Sequence, residues 1–125
     1  MKVFYAEEQK RHDPKFFLSS GGRQPNPEQP ERVERLLDGA RAAGLVVERP
    51  ADHGLGPISA IHTPEYLDFL KRIYQRWQYI EGASEEVIPN IHPIARGGTY
   101  PASAVGQAGY HMADTSCPIS AETWD

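Results

Sequence analysis

The chain predicts an α/β domain, and three observations carry that expectation. A short apolar, β-favouring run opens the sequence at residues 2–6. An amphipathic stripe closed by Gly44 follows it, then a second apolar run, Leu45-Val46-Val47. A longer amphipathic stripe begins at Thr63-Pro64. Strand, helix, strand, helix is the alternation from which α/β layers are built.

Taken in order, residues 2–6 are apolar on both alternating faces, which predicts a strand internal to a sheet. Residues 7–29 hold charges, then the run Ser19-Ser20-Gly21-Gly22, then Pro25 and Pro27, and read as one long irregular loop. Loops of that length usually serve a site or an interface. The first helix starts at Pro30, whose missing N–H suits a first turn, with Glu31 near the positive end of the dipole. Val33, Leu36, Leu37, Ala40 and Ala43 form its apolar stripe, and Gly44 supplies the left-handed stop. Leu45-Val46-Val47 reads as a second short buried strand.

Gly54-Leu55-Gly56-Pro57 is a turn, and residues 58–61 fit a single helical turn. Thr63-Pro64 reads as an N-cap and first helical residue. Tyr66, Leu67, Leu70, Ile73, Tyr74 and Trp77 mark the apolar face of the second helix. Asp68 and Arg72, four apart on its polar face, are placed to pair. From 81 to 101 no period is sustained, which predicts an extended, protruding loop. Residues 102–114 are ambiguous: Ala104, Ala108 and Met112 have helical spacing, while Gly106 and Gly109 weaken it. Ser120 reads as the cap of a further helix whose first turn reaches Asp125. One turn alone is unfavourable. With two strands and two helices as the whole core, the expectation is a fragment of a larger domain.

Size and charge exclude several roles. At 125 residues the chain suits one domain, and 11 Pro and 11 Gly demand much loop. A net charge of −4 without a basic run opposes nucleic-acid binding. No segment approaches the ~20 apolar residues that span a bilayer, and the N-terminus turns acidic too soon for a signal peptide. A cytoplasmic protein is the default. Cys117 is the only cysteine and reads as a small buried apolar residue.

Five histidines are present, and none sits in an HExxH, HxH or DxH arrangement. His12-Asp13 is the nearest approach to a ligand pair, but neighbours rarely face one ion, and a polar loop contact is the simpler reading. His62 suits a structural hydrogen bond at the second helix start. His53 reads as solvated. His92 falls in the protruding loop, where plain exposure competes with contact to a substrate or partner. His111, between Tyr110 and Met112, reads as a semi-buried packing residue. There is no Gly-x-Ser-x-Gly elbow, P-loop or GxGxxG fingerprint. Spacing alone therefore offers no self-sufficient active site and no metal ligands.

Several segments together resemble one family. They are Met1-Lys2-Val3-Phe4-Tyr5-Ala6-Glu7-Glu8, Pro30-Glu31-Arg32-Val33-Glu34-Arg35-Leu36, and Ile61-His62-Thr63-Pro64-Glu65-Tyr66-Leu67-Asp68-Phe69-Leu70 with Trp77 beyond it. Gly106-Gln107-Ala108-Gly109-Tyr110 and Cys117-Pro118-Ile119-Ser120-Ala121-Glu122-Thr123-Trp124 complete the set. In order and spacing they resemble the N-terminal portion of the acetylpolyamine amidohydrolases, within the histone deacetylase superfamily.

The resemblance implies an incomplete arginase–deacetylase-like fold, a parallel sheet flanked by helices. It implies hydrolysis of acetylpolyamine or acetyl-lysine-like amides by an enzyme whose Zn²⁺ sits on an Asp-x-His element and a later Asp. A His-His pair and a Tyr assist there. In the family these elements follow the segment ending at Trp124, so none maps here, and the chain alone is expected to be inactive and to take no zinc. The alternative is a non-catalytic assembly module joining a full-length relative through its long loops.

The resemblance also implies that the first loop forms part of a substrate rim, with Phe17, Ser19 and His92 as candidate rim residues. It implies that residues 84–104 correspond to an insertion that mediates homodimerisation and narrows the substrate channel. Phe17 and Val105 stand where acidic residues are expected, which weakens the attraction for a cationic amine. The implied partners are a small acetylated amine and a second copy of the chain, with neither nucleic acid nor membrane.

Overall fold

The structure, a computed structural model, describes residues 1–93 and 97–124. Its elements are β1 (Lys2–Phe4), a 3-10 turn (Glu7–Arg11), β2 (Phe16–Ser19), β3 (Gly22–Pro25), α1 (Glu31–Ala42), β4 (Val46–Glu48), α2 (Gly56–Ser59), α3 (Pro64–Trp77) and α4 (Ala104–His111). The expected α/β alternation is present: β1 and β4 pair in parallel, with Lys2 opposite Val46 and Phe4 opposite Glu48. Parallel strands need a crossover connection, usually a helix, and α1 supplies it, packing on β4. Gly44, with φ of +68°, turns the chain from α1 into β4.

The two strands are not interior, contrary to the expectation from their apolar runs. Phe4 is 60% and Val46 63% exposed. Lys2, Phe4, Val46 and Glu48 alternate onto one sheet face, which the described residues leave uncovered. The α1 stripe is also thinner than its spacing suggests. Leu37 is buried, Val33 and Ala40 are half-buried, and Leu36 and Ala43 face solvent.

Residues 7–29 are not one loop. Phe16-Phe17-Leu18 pairs antiparallel with β3, and the hairpin turns on Ser20 (φ 52°) and Gly21 (φ 77°). Two successive positive φ values are what a two-residue hairpin turn requires to match strand twist. The hairpin is stitched to the far end of the chain. Leu18 N–H donates to the Thr115 carbonyl (3.1 Å), and Thr115 Oγ1 returns a bond to the Leu18 carbonyl (3.0 Å). Asn26, buried behind β2, donates to the carbonyls of Phe16 and Ser116 and accepts from Glu28 N–H.

The main core lies between α3 and α4. Phe69, Ile73, Trp77, Val87, Ala104, Ala108, Met112 and Ile119 form one buried cluster. Thr63 caps α3 by accepting from Tyr66 N–H at 3.3 Å, and Pro64 takes the first position, as the sequence predicts. Asp68 and Arg72 pair at 2.7 Å, also as predicted. Phe69, absent from the predicted apolar face, is one of its most buried members at 3% exposure. The ambiguous stretch 102–114 resolves into α4, capped by Ser103 Oγ.

The expected protruding segment 84–104 begins inside this core. Glu86, Val87, Ile88 and Pro89 are buried, and Val87 forms a two-bond antiparallel bridge with Ile119. The exposed part is 90–93 and 97–99; Ile94, Ala95 and Arg96 lie outside the described residues. Ser120 does not start a helix within the described residues: 121–123 form a turn, with Thr123 Oγ1 accepting from Ser120 N–H. Asp125 is likewise outside the description. Among the described residues no helix is long and apolar enough to cross a membrane.

Candidate functional site

A cavity of about 600 Å³ opens between the 3-10 turn, α3, the C-terminal end of α4 and residues 113–123. Each wall follows from local structure. The 3-10 turn brings Glu8, Arg11 and His12 to one rim. The i, i+4 spacing of Tyr66 and Leu70 on α3 makes an apolar wall. His111 and Met112 end α4 and form the floor. Arg11 and Glu122 approach to 3.7 Å across the mouth, both about half exposed, so the pair is weak.

On the rim Glu8 accepts from Arg49 Nη2 at 2.6 Å just beyond β4, an ion pair exposed at both ends. A backbone hydrogen bond, with the Arg49 contact behind it, holds the Glu8 carboxyl below the usual carboxylate range. A depressed carboxylate contributes stability above its ordinary pKa and loses it as pH falls through the folded value. Arg49→Gln is therefore expected to melt earlier than the parent at neutral pH. The difference should vanish in acid, as read by thermal scans across pH. A difference that grows in acid contradicts this link.

At the back of the cavity His111 is the centre of an aromatic group. Its side chain is 8% exposed, matching the semi-buried packing role expected of it. Tyr100 Oη and His111 Nε2 lie 2.9 Å apart, and Glu65 Oε1 stands 4.0 Å from the same nitrogen. Phe69 and Tyr66 flank the imidazole at ring-centroid distances of 4.5 and 5.4 Å. Burial pushes the Tyr100 phenol above its ordinary pKa, with Glu65 adding to it.

The other residues that the sequence suggests for a site disperse. Phe17 is half-buried in β2 opposite Gln24, Ser19 is exposed at the hairpin tip opposite Gly22, and His92 is exposed. None of the three lines the cavity. Val105 is half-buried in α4 and packs against the core. His12 reaches Glu28 at 3.6 Å and Asp13 pairs with Lys15, so both are polar loop contacts. His53 and His62 are exposed, the latter with its ring 5.1 Å from Tyr66. Cys117 is exposed and lines the cavity, which corrects its expected burial.

Sequence reasoning misses two polar anchors. Glu86, 5% exposed, accepts the Lys15 N–H on both carboxylate oxygens (3.1 and 3.2 Å). Arg76 donates to the Gln107 side chain and to the Ala102 carbonyl (2.8 Å), while Gln107 Nε2 donates to the Pro101 carbonyl (2.9 Å). No local pattern announces either anchor, because their partners lie 71 and 26–31 residues away in sequence.

Zinc ligation needs three or four His, Cys, Asp or Glu side chains converging on one point. Among the described residues no three converge so. The described residues do not fit a zinc site, and the cavity is a cleft with one apolar wall and a charged rim.

Fold and cleft together define a class: an α/β layer in which a parallel strand pair, a hairpin and helices enclose one cleft. Comparison with known proteins makes this specific. The chain is 35% identical over 128 residues to an acetylpolyamine amidohydrolase of Burkholderia pseudomallei, covering 99% of this chain and 36% of that protein. It is 33% identical to acetylpolyamine amidohydrolase 2 of Pseudomonas aeruginosa and 33% to that of Mycoplana ramosa, with 99% and 100% of this chain covered. A crystal structure of the Burkholderia pseudomallei acetylpolyamine aminohydrolase superposes with a TM-score of 0.89 at 34% identity, over 99% of this chain and 36% of that one. No family model matches the chain. The resemblance read from the sequence thus holds end to end: the chain is similar to the N-terminal third of the acetylpolyamine amidohydrolases and spans about 36% of their length.

Proposed function

We propose that this chain forms the N-terminal part of a zinc-dependent amidohydrolase that deacetylates acetylated polyamines or acetyl-lysine-like amides. On this reading the 125 residues supply scaffold, and the groups that hold zinc and transfer protons belong to polypeptide beyond them. The end-to-end match to about a third of the relatives, at 33–35% identity, carries the proposal. The uncovered face bearing Phe4 and Val46 supports it, because parallel sheets are stable only when both faces are covered.

Phe17, Ser19 and His92 are assigned to the substrate rim of the assembled enzyme. Phe17 in place of a carboxylate lowers the attraction for a cationic amine, which favours less charged acetyl amides. The exposed part of 84–104 is assigned to contact with a second copy.

The test measures intact mass, zinc content and acetate release from an acetylated diamine, on the native protein and on the 125-residue chain. The expected result is a native species well above 14.0 kDa with zinc and activity, and a chain with neither. A 14.0 kDa species that holds one zinc and releases acetate overturns the proposal. A native species of 14.0 kDa without activity favours an assembly module instead.

A further inference from the structure

The contacts of His111 go beyond packing. The stretch after the exposed segment, Tyr100 to Ala102, is held to α3 and α4 by two devices. One is the Arg76–Gln107 clamp on the Pro101 and Ala102 carbonyls. The other is the contact between Tyr100 Oη and His111 Nε2. The same nitrogen faces Glu65 Oε1 on α3 at 4.0 Å, just outside hydrogen-bond range. Among the described residues, one imidazole nitrogen therefore faces two alternative partners, one on a surface segment and one on a core helix.

We propose that His111 is a proton-operated clasp: neutral, it holds Tyr100 against α4, and protonated, it turns to Glu65 and releases the Tyr100 segment. The chemistry fixes the direction. In the neutral clasp the Tyr100 O–H donates to Nε2, and the ring proton resides on Nδ1. Protonation converts Nε2 from acceptor to donor, so the Tyr100 O–H loses its acceptor. The new N–H then has a carboxylate within reach of a small ring rotation. A charge-assisted bond to a carboxylate is about twice as strong as a neutral one. The phenol resists supplying an anion in its place, since burial holds Tyr100 in its protonated form.

The surroundings admit the charged ring. On α3 it meets Glu65, the Tyr66 phenol and the Phe69 ring, while Asp68 and Arg76 act on the neighbouring Tyr100. On α4 it meets Tyr110, and from the loop Tyr100. On the cavity side stand Glu8, Arg11, His12, Asp114 and Glu122. A charged ring there would face aromatic rings and carboxylates, both of which attract a cation. His62, whose ring lies against Tyr66, is a second imidazole that the experiment must separate.

The experiment follows amide hydrogen exchange of residues 97–103 against pH, together with the nitrogen shifts of His111. In the parent, Nε2 is expected to show the shift of an unprotonated nitrogen at high pH. Protection of the segment should fall on the order of tenfold as His111 gains its proton, the size of one net hydrogen bond. Glu65→Gln moves that fall to lower pH. Tyr100→Phe removes that tenfold share of the protection at every pH, and His62→Gln leaves the transition in place. His111→Gln is expected to abolish the transition. A protonated Nε2 at high pH, or an unchanged transition in Glu65→Gln, overturns the clasp even if His111→Gln fails to fold.

Discussion

Gly109→Ala is expected to destabilise the protein by roughly 3 kcal/mol or more, the upper end of overpacking in a tight core. A methyl group on this residue would overlap the carbonyl oxygen of Ile91 and press on its carbonyl carbon, with the His92 Cα close behind. All three are main-chain atoms, so no rotamer change relieves the contact. Either α4 moves away from the 90–93 segment or that segment moves away from α4. Both motions disturb the seat of Ala108, which is fully buried one residue before. Gly39→Ala on exposed α1 meets nothing within 4 Å. It should stabilise the helix by about 0.4–1 kcal/mol, since alanine loses less backbone freedom. Urea melts of the two variants check the contrast, and equal midpoints would remove the close packing of α4 on Ile91 from the account.

Gly109 also explains why α4 is hard to read from sequence. Two glycines in eight residues lower intrinsic helix propensity by about 1 kcal/mol each relative to alanine. The helix forms because tertiary packing overrides that cost, and the residue that weakens it locally is the one that permits the close approach. Local signals suffice where the period and the caps agree. The Thr63-Pro64 start of α3 and the Gly44 stop of α1 need no knowledge of distant residues. The β2–β3 hairpin is hidden for a different reason. Phe16-Phe17-Leu18 lacks alternation, and Ser20-Gly21 is a weaker turn signal than Asn-Gly.

The remaining misses involve partners far along the chain. Val87 is fully buried through its bridge to Ile119, and no periodicity within 81–101 marks it. Phe4 and Val46 carry the apolar character of interior strands, yet their face is open. Apolar runs record what a strand is suited to meet, and exposure records what the described residues bring to it. The cleft follows the same rule. Its residues come from separated segments, so His111 is legible as a packed side chain while its contacts to Tyr100 and Glu65 are not.

Trp77→Ala should cost roughly 3–5 kcal/mol, the usual range for removing a large buried aromatic. Trp77 is 5% exposed and belongs to the cluster with Phe69, Ile73, Val87 and Ala104. Its Nε1–H donates to the Ser84 carbonyl at 3.1 Å, tying the end of α3 to the chain that enters the buried 86–89 segment. Truncation therefore opens a cavity and frees a partly buried carbonyl together. Trp77→Phe separates the two effects: it keeps most of the ring and loses the donor, so a smaller cost of about 1–2 kcal/mol is expected. Small domains hold about 5–15 kcal/mol in all, so the alanine variant should lose a large share of the total stability. Leu36→Ala, at a site 69% exposed, should fall within about 0.5 kcal/mol of the parent. Denaturant unfolding followed by far-ultraviolet circular dichroism ranks the three. An alanine variant at Trp77 no weaker than one at Leu36 would mean that α3 does not bury its tryptophan against α4. The seat of the 84–89 segment, and the cleft wall built by the bridge to Ile119, would then lose their physical basis.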